Sequence, residues 1–389
     1  MRALYDSKSK TIDDRGIKNL LSNEAKYSTW LMFEAMLAQA QAEYGFIPQF
    51  AADEIKEKAI IENIDFEEMN RIYQKIGHGF VPFLKVLVNA CSEESGKYVH
   101  YGITTQNIQQ SSQLYMMKTV HNKFMLLLSE IIENLSNLAE RTKHMVMAGR
   151  THGRHAIPIT YGYKVSVWIS DFIDCYQRMK ECEKRVFTIM MGGAVGAFNS
   201  MPEVGMKVQK RVAELVGMQA MEVPSRNLST HKLEYMMNLA LMANICHKMG
   251  EEVYSTTLEE IAEVSEGFTK GTVGSSTMPH KINPKLAKGI IANSQKLYSL
   301  PNVGMYSAVR PYEGDSSSYM LFDGLIEEAL ELTTEILLRT EELSRTIVPH
   351  EERMLHNVMR NKGLDNTEYV MMKMAEKLGK DKAHSLLYE

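Results

Sequence analysis

The stretch Gly274-Ser275-Ser276-Thr277-Met278-Pro279-His280-Lys281-Ile282-Asn283-Pro284 is polar, opens on glycine and holds two prolines. It breaks helix twice, because proline lacks the amide proton and clashes with the preceding turn. The sequence on either side behaves differently. No proline falls between Pro224 and Pro279, between Pro311 and Pro349, or between Pro82 and Pro158. A helix interior loses ~3 kcal/mol per proline, so such gaps permit long helices. Apolar residues fill them at three- and four-residue steps. One set is Phe124, Leu127, Leu128, Ile131, Leu135 and Leu138. A second is Leu233, Met236, Met237, Ala240 and Ala243, and a third is Leu325, Leu332, Ile336, Leu343 and Ile347. No long window alternates with a period of two. The chain therefore reads as all-α, with the 274–284 loop as its most conspicuous interruption.

Composition narrows the function. The chain has 389 residues with 44 basic and 48 acidic side chains, a net charge of −4. That balance predicts neither a nucleic-acid nor a membrane partner, so an anionic substrate has to be caught by a local basic site. Cys91, Cys175, Cys182 and Cys246 are scattered without C-x-x-C spacing. They read as free thiols of a reducing compartment. The first residues, MRALYDSKSKTIDDRG, lack an apolar secretory core, and no apolar run approaches the ~20 residues that span a bilayer. A cytoplasmic location is expected. The 28 methionines read as adaptable core filler. Apolar stripes wider than one partner helix covers predict burial between subunits. The expected domains are an N-terminal helical domain over 1–96, a long central bundle over 97–346 and a short C-terminal helical domain over 347–389. The last contains a helix pair turning at Gly363-Leu364-Asp365.

Three segments carry chemistry. In the 274–284 loop, glycine and the two serines put backbone N–H groups beside hydroxyls, while Lys281 adds charge and Asn283 an amide. The set suits an anion that forms during a reaction, such as the enolate of a carboxylate. It equally suits an exposed connector with a serine cap and two turn prolines. The segment Ala148–Thr160 contains Arg150, Thr151, His152, Arg154 and His155. Imidazole exchanges protons near neutral pH, which fits general acid–base work, and surface polarity ahead of Pro158 is the alternative. His152 and His155 have no carboxylate or cysteine nearby in sequence, which argues against a metal site. The segment Lys97–Asn107 clusters His100, Thr104, Thr105, Gln106 and Asn107. This is a carboxylate clamp or a helix start capped by Thr104 or Thr105.

Together the three segments resemble the fumarase/aspartase superfamily. Gly274–Asn283 matches G-S-S-x-M-P-x-K-x-N throughout. The first segment is similar to H-x-G-x-T-S-x-D and the second to R-T-H-G-Q, with Gly192-Gly193-Ala194-Val195-Gly196 between the second and third. VHYGITT, GRTHGRHAIPITYG and MPHK look most like adenylosuccinate lyases, and EVSEGFTKGTVGSSTMPHK also resembles carboxymuconate cycloisomerases. The resemblance implies β-elimination of a succinyl compound, with C–N cleavage and release of fumarate. It makes Ser275 the base and His152 the acid that protonates the leaving nitrogen. Ser276, Lys281 and Asn283 would hold the carboxylate as it becomes an aci-carboxylate. His100, Thr104, Thr105, Asn107, Thr151 and Met278 would bind substrate. It further implies a small dicarboxylate as partner, no cofactor and no metal. A three-domain fold is implied, its central bundles forming a homotetrameric helical core with active sites shared among subunits.

Some positions depart from the pattern. Lys288 stands where many members place the glutamate that pairs with the catalytic histidine. Asn107 replaces aspartate, and Arg154 replaces glutamine. The stretch Arg310–Met320 lacks the two arginines with which adenylosuccinate lyases hold a nucleotide phosphate, and the N-terminal Arg-Tyr pair is not evident. These departures keep open a lyase of a non-nucleotide amino- or oxy-succinate, a carboxymuconate cycloisomerase-like enzyme, and a non-catalytic structural homologue.

Overall fold

The proline-free runs become the longest helices of the protein. A computed structural model describes residues 12–267 and 273–388. Residues 1–11 of the MRALYDSKSKTIDDRG stretch, and residues 268–272 of the EVSEGFTKGTVGSS run, lie outside the described residues. Among the described residues six α-helices precede the first motif: α1 (Ile17–Leu20), α2 (Asn23–Glu43), α3 (Gln49–Lys58), α4 (Phe66–Ile76), α5 (Val81–Ala90) and α6 (Glu93–Gly96). Then comes α7 (Thr105–Arg141), unbroken over 37 residues. Its predicted apolar stripe, Phe124 through Leu138, is buried as one seam.

The chain next makes a hairpin from β1 (Val146–Thr151) and β2 (Arg154–Thr160), returns along α8 (Tyr161–Val186), and adds β3 (Thr188–Ile189), α9 (Gly205–Leu215) and β4 (Gln219–Ala220). The second half holds α10 (Thr230–Thr256), β5 (Val264–Ser265), α11 (Leu286–Leu297), α12 (Leu300–Ala308) and α13 (Ser316–Thr346). It ends with β6 (Val348–Pro349), α14 (Glu351–Met359), α15 (Thr367–Leu378) and α16 (Lys380–Tyr388). Among the described residues the strands pair only in twos: β1 with β2 and β5 with β6 antiparallel, β3 with β4 parallel. Among the described residues no helix is long and apolar enough to cross a membrane.

The hairpin departs from the all-α expectation, and its cause is local. His152 and Gly153 both have positive φ, 52° and 72°, which is the two-residue turn that matches strand twist. Pro158 sits within β2 opposite Ala148, where a two-stranded ribbon leaves one edge free to accommodate it.

Side-chain bonds fix the helix directions. Gln113 Nε2 reaches Asp323 Oδ1 at 2.8 Å and Asn134 Nδ2 reaches Ser344 Oγ at 3.2 Å, both at a sequence separation of 210. Hence α7 and α13 run parallel and in step. Lys232 at the start of α10 reaches Gln110 near the start of α7, so α10 runs the same way. Helix α11 runs back, since Ile290 packs on Gly250 while Tyr298 bonds His247 at 2.9 Å. The bundle therefore has a head, where α7, α10 and α13 begin, and a foot, where they end. At 1.5 Å per residue, the 37 residues of α7 separate them by ~55 Å.

Candidate active site

The first motif lies at the head. Thr104 is the N-cap of α7, and Thr105 is its first residue. Asn107 is buried, and its Oδ1 accepts from the N–H of Thr104 and from that of Gly193, each at 3.1 Å. An amide oxygen serves there as well as the carboxylate of the family pattern. It also ties the Gly192–Gly196 loop to the motif, while Asn107 Nδ2 has no partner among the described residues. His100 adopts φ 59°. Its ring Nδ1 lies 2.7 Å from Glu34 Oε1, and its backbone N–H donates to Glu34 Oε2 at 3.1 Å. The buried carboxylate on α2 thus holds both ring and backbone, leaving Nε2 directed away from it. His100 lines a cavity of about 850 Å³ that also carries Arg71, Lys75 and Lys85.

The other two motifs lie at the foot. Glu266 precedes the signature loop and caps the helix that follows it. Its carboxylate accepts from the N–H groups of Lys285, Leu286 and Ala287 at 2.6, 3.0 and 2.7 Å. These are donors that a helix start leaves without partners. Lys285 Nζ donates to Val273 O at 2.6 Å and Asn283 Nδ2 to Gly274 O at 3.0 Å, so the loop is stapled at its base. Any Cβ on Gly274 would come 2.4 Å from Lys281 O, which is why glycine opens the motif. Ser275 Oγ accepts from the N–H of Met278 at 3.1 Å and of Thr277 at 3.4 Å. Donors aimed at a hydroxyl oxygen favour its deprotonated form. Ser276, Met278 and Lys281 are exposed, and Lys281 has no ion-pair partner among the described residues.

The hairpin tip presents Thr151, His152 and Arg154 to solvent. Two residues back, Arg150 forks onto Glu263, with Nη1 to Oε2 at 2.9 Å and Nη2 to Oε1 at 2.6 Å. Asn357 Nδ2 adds a bond at 2.9 Å, and Glu263 is 0% exposed. One buried carboxylate therefore joins the hairpin of the second motif to the chain that enters the third. His155 lies half-buried with Nδ1 at 3.9 Å from Asp365, turned from His152 by the hairpin register. Lys288 occupies the first turn of α11, partly exposed.

One chain thus ties the strand of the second motif, through Arg150 and Glu263, to the segment that leads into the third, and keeps the first at the other end of the bundle. A hairpin folded straight back along α7 regains only ~20 Å of the ~55 Å, at ~3.3 Å per strand residue. Three supporting carboxylates went unread in the sequence. Glu34 was visible as a lone acid inside the apolar run WLMFEAML, and Glu263 and Glu266 as acids three apart directly before the loop.

A mostly helical bundle whose ends carry a glycine–serine loop, a histidine hairpin and a capped threonine pair defines a protein of the fumarase/aspartase superfamily. The family model described as Lyase matches residues 6–296, and the chain belongs to that family. It is 32% identical to an adenylosuccinate lyase of Methanocaldococcus jannaschii over 95% of this chain and 81% of that protein. It is 31% identical to an N-acetyl-S-(2-succino)cysteine lyase of Enterococcus italicus over 96% of this chain and 82% of that one. Among solved structures, the β-carboxy-cis,cis-muconate cycloisomerase of Acinetobacter calcoaceticus sp. ADP1 matches with a TM-score of 0.87. Its identity is 27%, with 96% of this chain and 85% of the other covered.

Proposed function

We propose that this superfamily lyase cleaves the C–N bond of a succinyl compound by β-elimination and releases fumarate, as an adenylosuccinate lyase does. The observation that carries the reading is the pair of backbone N–H groups converging on Ser275 Oγ, with the unpaired Lys281 in the same loop. In its alkoxide form, Ser275 takes the proton from the carbon next to one carboxylate. The electron pair left behind moves into that carboxylate, which becomes an aci-carboxylate held by Ser276, Lys281 and Asn283. Its collapse forms the carbon–carbon double bond and expels the nitrogen, which receives a proton from His152. His100, Thr104, Thr105, Thr151 and Met278 bind the rest of the substrate. Asn107 shapes the head through Thr104 and Gly193.

The reading requires more than one chain, because head and foot lie too far apart to share a substrate. A homotetramer of bundles packed antiparallel brings the head of one subunit to the feet of others. The central 97–346 segment is the part that packs in this way.

A second reading, cleavage of a succinyl thioether, has the support of the succinocysteine lyase relative and of the arginines missing from Arg310–Met320. The test is fumarate release, followed by its ultraviolet absorbance, from adenylosuccinate, argininosuccinate, aspartate and N-acetyl-S-(2-succino)cysteine. Release from an amine substrate supports C–N cleavage, and release from the thioether alone selects the second reading. An assembled oligomer inert toward the whole panel overturns both.

A further inference from the structure

Helix α7 places Gln106, Gln109, Gln110 and Gln113 on one face, at the three- and four-residue steps that make helix neighbours. All four line a cavity of about 370 Å³ bounded by α2, α7 and α13. At ~30 Å³ per water, the space equals about a dozen waters, enough for a small organic molecule.

The hydrogen bonds along this face make two runs, a short one through Gln113 to Asp323 and a longer one through Gln110, Gln106 and Gln109. They begin at Lys232, which is 1% exposed and has its ammonium 5.2 Å from the Phe322 ring centroid. Lys232 Nζ donates to Gln110 Oε1 at 3.3 Å. Gln110 Nε2 donates to Gln106 Oε1 at 2.8 Å, and Gln106 Nε2 to Gln109 Oε1 at 3.0 Å. The chain ends at the Gln109 amide N–H, which has no acceptor among the described residues. Amides linked in series polarise one another, so the last donor is strengthened while Lys232 holds its proton. Lys26, from α2, adds an ammonium to the same cavity. It lies 5.4 Å from the Trp30 ring centroid and has no ion-pair partner among the described residues.

The α13 wall is the electrostatic opposite, with the carboxylates of Asp323 and Glu327. Asp323 accepts one bond, from Gln113, and no cation lies within ion-pair distance of it among the described residues. A cavity with strengthened donors on one side and carboxylates on another complements a molecule carrying both a carboxylate and an ammonium group.

We propose that this cavity binds a free α-amino acid, its carboxylate on the Gln109 amide and Lys26 and its ammonium on Asp323 and Glu327. Among the described residues neither Lys26 nor Asp323 has an ion-pair partner at contact distance, and Lys232, Arg310 and Lys26 act on the Asp323 carboxylate only from further away. Burial raises the Asp323 carboxyl above its ordinary range and pushes the Lys232 amine down to about 7. The site goes beyond the lyase reading and does not depend on it.

The experiment is thermal unfolding of the full chain with each of the twenty amino acids added singly, followed by titration calorimetry on any that respond. At least one is expected to raise Tm by roughly 2 °C or more when well above its Kd. The N-acetyl and methyl-ester derivatives of that amino acid are expected to give no shift, because each removes one of the two charges. Gln109→Ala and Lys26→Ala, at partly exposed side chains, and Glu327→Gln, at an exposed one, are expected to weaken binding at least tenfold. Ser275→Ala is expected to leave it intact, which separates this cavity from the lyase loop. The proposal is overturned if no amino acid shifts Tm, if the blocked derivatives bind equally, or if binding survives Gln109→Ala and Lys26→Ala.

Discussion

The head and foot of the bundle treat their polar groups in opposite ways. At the head, functional side chains are bound to the protein itself, His100 by Glu34 and Asn107 by Thr104 and Gly193. At the foot the anchors are buried, while the groups above them face solvent. Glu263 and Glu266 are fully engaged underneath, and Ser276, Lys281, Thr151 and His152 stand exposed. Burial without partners is costly, so exposed donors above carboxylates that already accept three bonds each are ready for a ligand or a second chain at little reorganisation cost. On the proposed mechanism, the head carries the groups that shape a site, and the foot carries those that move protons.

The sharpest break in this comparison is removal of the proposed base. Ser275→Ala is expected to lower kcat by about 10²–10⁴-fold, the span of a positioned proton-transfer group, with KM little changed. Steady-state fumarate release measures it, and a kcat near wild type would sink the assignment. A second experiment asks whether head and foot act across subunits. His100→Ala and Ser275→Ala chains, each weak alone, are expected to recover activity when co-assembled, since mixed oligomers contain sites with one intact head and one intact foot. Failure to recover in verified hybrids would mean that His100 and Ser275 do not serve one shared site.

A smaller effect compares the anchors. Glu263→Gln leaves the Arg150 guanidinium without its counter-charge and is expected to cost about 3 kcal/mol in chemical denaturation. Glu34→Gln keeps an acceptor for the His100 ring and is expected to cost about 1 kcal/mol. Equal losses would mean that the foot is no more dependent on its buried charge than the head.

Much of this was legible in the sequence, for reasons that differ by element. The long helices announced themselves because the Phe124–Leu138 stripe and the proline gaps are local signals. The signature loop was legible because glycine, two serines and two prolines impose a fixed backbone over eleven residues. The Ala148–Thr160 hairpin was not, since the polar Arg150–His155 run hides strand alternation and Pro158 mimics a strand stop. The supporting carboxylates were harder still. Glu34 meets His100 across 66 residues and Glu263 meets Arg150 across 113, and no periodicity reports such pairings. The distance between head and foot follows from α7 being continuous, which helix-breaker counting predicts.

The gentlest test concerns charge at the head. The foot's buried carboxylates are paired or capped, whereas Lys232 at the head is buried against amides and a ring, and burial lowers its amine from 10.5 to about 7. Below about pH 7 both the folded and the unfolded chain hold the proton, so the penalty for burying the charge is fully present. Between about pH 7 and 10 the unfolded chain keeps a proton that the folded protein has released, so this group makes stability rise with pH. Lys232→Met fills similar volume without a charge and removes that dependence. The variant's stability relative to wild type is therefore expected to be most favourable near pH 6 and to fall steadily toward pH 10, read from denaturation midpoints in a buffer series. A relative stability that stays flat or climbs with pH would mean that Lys232 keeps its proton throughout, and that the amide chain leading to Gln109 compensates the buried charge by itself.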